Sequence, residues 1–196
     1  MRKITLDIET RNTFQDVGKA DPTLLDISVV CIHDSETDAY TSFLQEDLPK
    51  LWPVLEKADM IITFNGDHFD LPILNKYYSG DLLKIKSLDL LKEVRKSLGF
   101  RVGLGVIAQG TLGKNKSGHG LDAIEWWKKG EIDKIIKYCI DDVKVTKEIY
   151  EYAIANKKLK YIDQRNGDGT QIVEFGINTN GWEEKEESKM TFSLPF

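Results

Sequence analysis

The 196-residue sequence predicts an α/β domain in which helices flank a mixed β-sheet, followed by a C-terminal β-hairpin and a flexible tail. Three observations indicate this fold class. Strand-like runs come first in the chain, helical patterns and one buried strand follow, and a Gly-rich turn at 165–169 separates two final strand-like runs. We therefore divide the chain into a main domain (1–156), an appended hairpin (157–182) and an acidic tail that we expect to be disordered (183–196).

Three strands are predicted in the N-terminal part of the main domain. Lys3–Asp7 is a short apolar run, Leu25–His33 is rich in β-branched residues, and Asp38–Leu44 alternates polar and apolar residues. The polar stretch Asn12–Pro22 predicts a loop between the first two strands. A short polar turn joins the second strand to the third, so the three strands form a meander.

Helical spacing of apolar residues dominates the rest of the main domain. The run Met60–Phe64 is the exception, because it is almost entirely apolar and predicts a buried strand. A short strand is also expected at Leu83–Ser87. The chain from Gly181 onward has no periodicity of its own and predicts a mobile tail. Helices are predicted at Glu46–Lys57, Asp70–Tyr78, Leu88–Leu98, Leu104–Leu112, Leu121–Lys129 and Ile132–Asn156, and the hairpin strands at Leu159–Gln164 and Thr170–Ile177.

The composition is that of a soluble globular protein, with 41% hydrophobic and 30% charged residues. No apolar run approaches the roughly 18 to 20 residues of a membrane-spanning helix, and the N-terminus becomes polar too early for a signal peptide. We therefore expect a cytoplasmic protein that does not bind membranes. Cys31 and Cys139 lie among apolar neighbours without metal-finger spacing, which predicts two buried thiols.

The net charge of −5 argues against a broad, non-specific grip on a phosphate backbone. It does not exclude nucleic acid, because a cluster of carboxylates becomes positive once it binds cations. The segment 113–120 is locally cationic and rich in glycine. Its side chains Lys114, Lys116 and His119 are candidates for phosphate contacts, and a solvated loop is the alternative.

A first acidic pair lies in the first predicted strand. Asp7 and Glu9 are two residues apart, so both carboxylates leave the same face of the strand. This spacing suits a shared cation. Taken alone, the pair also fits a solvated strand end, because a chain with 32 acidic residues contains several such pairs by chance.

A second acidic element, Asn65–Asp70, begins where the most hydrophobic strand ends. Ligands commonly bind at the ends of strands in α/β sheets. The alternative is that Asp67 or Asp70 caps the following helix, because aspartate is a favoured N-cap residue.

A third element lies within the long helix Ile132–Asn156. Tyr138 and Asp142 are four residues apart and share one helix face. Asp142 stands between the apolar positions 139 and 143, where a buried charge requires a partner or a metal. The alternative makes Tyr138 a core aromatic and Asp142 a solvated residue.

Together and in this order, the three elements resemble the Exo I, II and III motifs of the DEDD exonuclease superfamily, which has a ribonuclease H-like fold. Asp7-Ile-Glu9 resembles the first motif, Asn65-x-x-x-Phe69-Asp70 the second, and Tyr138-x-x-x-Asp142 the third in its tyrosine form. The histidine form has His five residues before the aspartate, where this chain has Lys137. The resemblance covers residues 1–156. Within these residues the chain is similar to stand-alone exonucleases related to the proofreading domain of family B DNA polymerases.

The resemblance implies a 3′–5′ exonuclease acting on the 3′ end of nucleic acid, with single-stranded DNA favoured. Asp7, Glu9, Asp70 and Asp142 would hold two divalent cations, Mg²⁺ or Mn²⁺, because oxygen ligands favour hard ions. Tyr138 would orient the attacking water. The candidates for substrate binding are Thr10, Asn65, Phe69 and Lys116, and a place in the core is the alternative for Phe69.

Three further interpretations remain open. One is an exoribonuclease with the same chemistry, and another is a non-catalytic nucleic-acid-binding module that has kept the fold. The third concerns the tail at 183–196, whose acidic residues and final Leu-Pro-Phe resemble the tips of bacterial single-stranded-DNA-binding proteins. That resemblance implies a protein partner, and ordinary disorder is the alternative.

Overall fold

The computed structural model describes residues 1–114, 120–163 and 171–184. Within these residues, five strands form one sheet and two more form a hairpin. The strands are β1 (Lys3–Thr10), β2 (Ile27–Asp34), β3 (Ala39–Leu44), β4 (Met60–Thr63), β5 (Ser87–Asp89), β6 (Lys158–Asp163) and β7 (Gln171–Gly176). The helices are α1 (Phe14–Val17), α2 (Leu48–Leu55), α3 (Asp70–Asn75), α4 (Leu90–Leu98), α5 (Leu104–Leu112), α6 (Gly120–Lys128) and α7 (Ile132–Asn156).

The main sheet is mixed, as the sequence predicts. Its strand order is β3-β2-β1-β4-β5, which places β1 at the centre. The predicted meander is confirmed, because β1 pairs antiparallel with β2 and β2 pairs antiparallel with β3. In contrast, β4 runs parallel to both β1 and β5. The carboxyl ends of β1, β4 and β5 therefore meet at one edge of the sheet, which we call the carboxyl edge.

The two faces of β1 have different surroundings because side chains alternate along a strand. Ile4, Leu6 and Ile8 are buried in a core that includes residues of α2 and α3. The intervening residues, Asp7 and Glu9 among them, leave the opposite face of the strand. The sequence alternation thus separates one apolar face from one polar face at the centre of the sheet.

The long helix α7 packs against the sheet and has the predicted bounds. Ile135, Cys139 and Val143 lie on its buried side and share a core with Val29 and Cys31 of β2. Both cysteines are buried free thiols, as predicted. Helix α7 therefore brings residues from late in the chain against the first two strands.

The predicted C-terminal hairpin is present, and β6 pairs antiparallel with β7. The turn between these strands lies outside the described residues. Helix α5 packs closely on β6, because a Cβ atom added to Gly110 would lie 2.6 Å from the Tyr161 backbone. The Thr111 hydroxyl donates to the Lys160 carbonyl over 2.7 Å and accepts from the Lys160 N–H over 2.9 Å. A side chain of the main domain thus bonds the edge of the hairpin.

Some local predictions were wrong. The predicted loop Asn12–Pro22 contains α1, in which Thr13 and Asp16 form a reciprocal capping box. The predicted strand Leu83–Ser87 is a 3₁₀ turn at Leu82–Lys84 followed by β5. The helix predicted from Leu88 begins at Leu90 instead, because the Asp89 side chain accepts from the N–H groups of the first helical turn.

The start of the predicted mobile tail is also packed against the domain. The Trp182 side chain is buried and stacks on Tyr150, with ring centroids 6.0 Å apart. Glu183 pairs with Lys3 over 2.9 Å, and Lys86 donates to the carbonyls of Gly181 and Glu184. Residues 185–196, on which the protein-partner hypothesis depends, lie outside the described residues.

A helix that crosses a bilayer must be both long and continuously apolar. None of the helices in the described ranges is long and apolar enough to cross a membrane.

Candidate active site

Three carboxylates converge above the carboxyl edge. One oxygen each from Asp7, Glu9 and Asp142 lies within 4.8 Å of the other two. Asp7 and Glu9 come from the polar face of β1, and Asp142 comes from the buried side of α7. Glu9 and Asp142 are only 8% and 6% exposed, so water shields their charges poorly. We call this group the carboxylate cluster.

The packing of α7 on β1 fixes the spacing of this cluster. The Cys139 thiol, three residues before Asp142, donates to the backbone carbonyl of Asp7 over 3.4 Å. Cys139 and Val143 are fully buried on either side of Asp142. The apolar contacts of α7 therefore hold a carboxylate at a depth where it faces β1.

Tyr138 lies one helical turn before Asp142 and is 3% exposed. Burial raises the pKa of its phenol well above the ordinary value, and the negative charges of the carboxylate cluster raise it further. A hydrogen bond with Asp142 acts in the same direction. Tyr138 is therefore a neutral phenol that can donate a hydrogen bond but does not serve as a base near pH 7.

Asp70 lies beside this cluster without joining it. It is the first residue of α3, is 4% exposed, and accepts a hydrogen bond from the Ile8 N–H over 3.0 Å. Ile8 stands between Asp7 and Glu9, so Asp70 reaches the same segment of β1. Burial, and to a smaller extent the charge of Asp89, raises the pKa of Asp70, backbone hydrogen bonds lower it, and the resulting value is about 7. The structure thus brings three of the four predicted carboxylates together and places the fourth against the backbone between two of them.

The loop from β4 to Asp70 is held by a residue that sequence reasoning missed. Asp89, at the end of β5, accepts from the Asn65 N–H over 2.8 Å and from the Leu91 N–H over 2.9 Å. Asn65 has a positive φ of 77°, a conformation that asparagine adopts more readily than most residues. Asp89 therefore ties the Asn65 turn to the start of α4. Its position directly before an apolar helical run was an N-cap signal in the sequence.

Arg101 is a second residue that sequence reasoning missed. Its guanidinium donates to the Asn65 side-chain oxygen over 2.8 Å. Because arginine only donates, the side-chain NH₂ of Asn65 is left as the group that can contact another molecule. No sequence pattern links Arg101 to Asn65, since the two meet only through the fold.

A groove of about 350 Å³ adjoins the carboxylate cluster at Glu9. Phe69 and Phe14 contribute to its walls and pack edge to face, with centroids 6.2 Å apart. Thr10 also lines the groove and donates through its hydroxyl to the Asn12 carbonyl over 3.0 Å. Phe69 packs on the main core as well, which the alternative assignment predicts, and its contact with substrate stays a prediction. We call this feature the aromatic groove; its remaining lining residues include Leu121 and Ile124 of α6.

The other predicted substrate contacts lie elsewhere or outside the described residues. Asn65 is at the carboxyl end of β4, beside Arg101, and does not line the aromatic groove. Lys116 and His119 are outside the described residues, whereas Lys114 pairs with Glu148 over 2.5 Å. The phosphate contacts expected of the cationic segment 113–120 therefore remain a prediction.

Comparison with known proteins identifies the fold. It resembles part of the family B DNA polymerase from the hyperthermophilic archaeon Pyrobaculum calidifontis, with a TM-score of 0.61 and 16% sequence identity. The likeness covers 79% of this chain and 24% of the polymerase, so the chain spans about a quarter of that protein's length. No curated protein matches the sequence. Residues 4–154 match the RNase_H superfamily, which confirms the predicted ribonuclease H-like fold, and this chain therefore belongs to that superfamily.

Proposed function

We propose that this protein is a metal-dependent 3′–5′ exonuclease of the tyrosine subgroup of the DEDD superfamily. The observation that carries the proposal is the convergence of Asp7, Glu9 and Asp142 within 4.8 Å beside the buried Tyr138 phenol. Membership of the RNase_H superfamily supports nuclease chemistry. The 3′–5′ direction rests on the resemblance of the three motifs. The likeness to a DNA polymerase favours DNA over RNA as the substrate, and the preference for a single strand rests on the resemblance of the motifs.

The donor set fits hard divalent cations. The group found in the described residues consists of carboxylates, whose oxygens are the ligands that Mg²⁺ and Mn²⁺ prefer. Asp7, Glu9 and Asp142 would hold the ions, and Asp70, one hydrogen bond away from the backbone between Asp7 and Glu9, would complete the ligand set. Two divalent cations bound there supply the charge that activates water and stabilises the leaving oxygen of an in-line phosphodiester displacement.

The remaining groups orient the reactants. The neutral Tyr138 phenol donates a hydrogen bond that positions the attacking water, because its raised pKa keeps the proton on the oxygen. Phe69 and Phe14 offer aromatic surface to the base of the terminal nucleotide in the aromatic groove. Thr10 in the groove and the Asn65 amide at the end of β4 would bond the sugar and phosphate of that nucleotide.

A degradation assay tests this function. Oligonucleotides of one sequence, prepared as single-stranded DNA, duplex DNA and RNA, are incubated with Mn²⁺ or Mg²⁺ and the protein. We expect a 5′-labelled single strand to give a ladder of shortened products and a 3′-labelled strand to release labelled mononucleotide first. Internal cuts, or full-length strands with both ions, would contradict the exonuclease assignment. Faster degradation of RNA than of DNA would identify RNA as the preferred substrate.

Two carboxylate variants separate an enzyme from a non-catalytic binding module. Asp7→Asn and Asp142→Asn should each abolish Mn²⁺-dependent shortening and remove the Mn²⁺ binding seen by isothermal titration calorimetry. Asp47→Asn is the matched control, because it removes a surface carboxylate that pairs only with Lys50 in the described contacts. If the wild-type protein binds oligonucleotides but no Mn²⁺, the protein is a non-catalytic binding module and not an enzyme.

A further inference from the structure

Arg11 is a cation that lies immediately beyond the metal-ligand residues of β1. It follows the strand by one residue and stands two residues after Glu9 in the chain. Its backbone N–H donates to the Asp26 carbonyl over 2.8 Å, and this bond anchors the chain directly after β1. The guanidinium carbon lies 4.3 Å from the centroid of the Trp127 ring. This stacking holds the guanidinium in a defined orientation.

Helix α6 links Arg11 to the carboxylate cluster. Trp126 precedes Trp127 and packs edge to face against Tyr138, with ring centroids 5.9 Å apart. Two consecutive tryptophans of α6 therefore contact the phenol of the site and the guanidinium. Other residues of the same helix, Leu121 and Ile124, line the aromatic groove. Arg11 thus belongs to the surroundings of the site rather than to a distant surface.

The donors of Arg11 have few acceptors. A guanidinium has five N–H groups. The Nε atom is buried and has no hydrogen-bond partner among the described residues. Nη2 lies 4.0 Å from the carboxylate of Glu46, whose side chain is 69% exposed. In contrast, Arg2 at the other end of β1 donates to Asp34 from Nε over 3.2 Å and from Nη2 over 2.6 Å.

The chemistry of this position suits a phosphate. The planar fork of arginine matches phosphate oxygens, and Arg11 retains 29% side-chain exposure. A nucleic-acid strand whose end lies at the carboxylate cluster carries its next phosphates across the neighbouring surface. In a protein with a net charge of −5, a fixed cation at that surface offsets the repulsion between strand and protein. We propose that Arg11 binds a non-scissile phosphate of the bound strand and so positions the strand end at the carboxylate cluster; this inference rests on the proposed function.

Salt-dependent binding and kinetics test the proposal. Binding of a fluorescent single-stranded oligonucleotide is measured by anisotropy without divalent cation, and kcat and KM are measured with Mn²⁺, both over a range of KCl concentrations. For Arg11→Gln we expect about tenfold weaker binding and a correspondingly higher KM with little change in kcat. The slope of log affinity against log salt should shrink by about 0.7, the value for one phosphate contact on a single strand. Arg11→Lys should keep the wild-type slope, and the exposed Arg95→Gln on α4 is the matched control.

The outcomes distinguish a phosphate contact of Arg11, a purely structural role of Arg11, and failure of the proposed function. An unchanged slope in Arg11→Gln would overturn the phosphate contact. Equal losses of affinity and melting temperature in Arg11→Gln and Arg11→Lys, without a change of slope, would also overturn it and leave only the packing against Trp127. A wild-type protein that binds strands but does not shorten them would contradict the proposed function, while the anisotropy series would still decide the role of Arg11.

Discussion

Asp70 is the residue at which burial and charge conflict most directly. The residue is 4% exposed and the pKa of its carboxyl group is raised to about 7, whereas an unfolded chain releases the same proton near pH 4. Between these values the folded protein retains a proton that the unfolded chain has lost. The free energy of unfolding of the metal-free protein should therefore fall as the pH rises from about 4 to about 7 and then level off.

Asp70→Asn removes this conflict and should stabilise the metal-free protein at pH 8. Asparagine keeps an oxygen that accepts from the Ile8 N–H, and it cannot ionise. The expected gain in unfolding free energy is on the order of 3 kcal/mol at pH 8 and near zero at pH 4. Urea denaturation in EDTA at several pH values measures it. A variant with the same pH dependence as the wild type would contradict the role assigned to burial.

Tyr138→Phe tests the phenol without altering the fold. We expect kcat to fall about tenfold to a hundredfold, because a hydrogen bond to a charged group contributes about 1.5–3 kcal/mol. Mn²⁺ affinity should not change, since no ligand oxygen is lost. The high pKa of the phenol also predicts that its ionisation does not limit the rate up to pH 10.

The matched control for this variant is Tyr78→Phe, which removes a surface phenol that donates to Glu56 over 2.6 Å. It should leave both kcat and Mn²⁺ affinity at their wild-type values. Loss of Mn²⁺ binding in Tyr138→Phe would mean that the phenol organises the carboxylates rather than the water.

At the scale of secondary structure, the elements with clear periodicity were predictable and the short ones were not. The bounds of α7 agree with the prediction because apolar residues repeat along the helix, and those of α5 agree because Gly103 and Gly113 mark its two ends. The three-residue strand β5 and the four-residue helix α1 are too short to show a period, and their ends are set by capping residues. Asp89 illustrates the difficulty, because one side chain both caps α4 and holds the Asn65 turn.

The contact between α5 and β6 gives a prediction at this scale. Gly110→Ala should destabilise the protein by about 1–3 kcal/mol, because the new methyl group would lie 2.6 Å from the Tyr161 backbone, which cannot move as a side chain does. Thermal unfolding followed by circular dichroism measures the loss. The control, Gly176→Ala in β7, meets no heavy atom within 4 Å and should change stability by less than about 0.5 kcal/mol. Equal effects of the two variants would contradict close packing at Gly110.

At the scale of the whole molecule, the sequence indicated the site because its carboxylates lie in recognisable motifs on separate elements. It did not indicate which of them converge. The position of Asp70, bonded to the Ile8 N–H rather than joined to the cluster, depends on how α3 meets β1. The packing of Trp182 on Tyr150 was equally hidden, since residues 181–184 have no period and are held by contacts with distant parts of the chain.

The carboxylate cluster would also couple metal binding to the stability of the entire fold. Its members come from the first strand and the last long helix, so a bound ion links the two ends of the main domain. Without cations the clustered negative charges oppose that packing.

Mn²⁺ at about one hundred times its Kd should add about 2.7 kcal/mol to the free energy of unfolding and raise Tm by about 5–10 °C. Differential scanning fluorimetry across a Mn²⁺ titration measures this shift, EDTA should reverse it, and Asp47→Asn should behave as the wild type. Asp142→Asn should show no shift, and a wild-type Tm independent of Mn²⁺ concentration would contradict a metal site formed by β1 and α7.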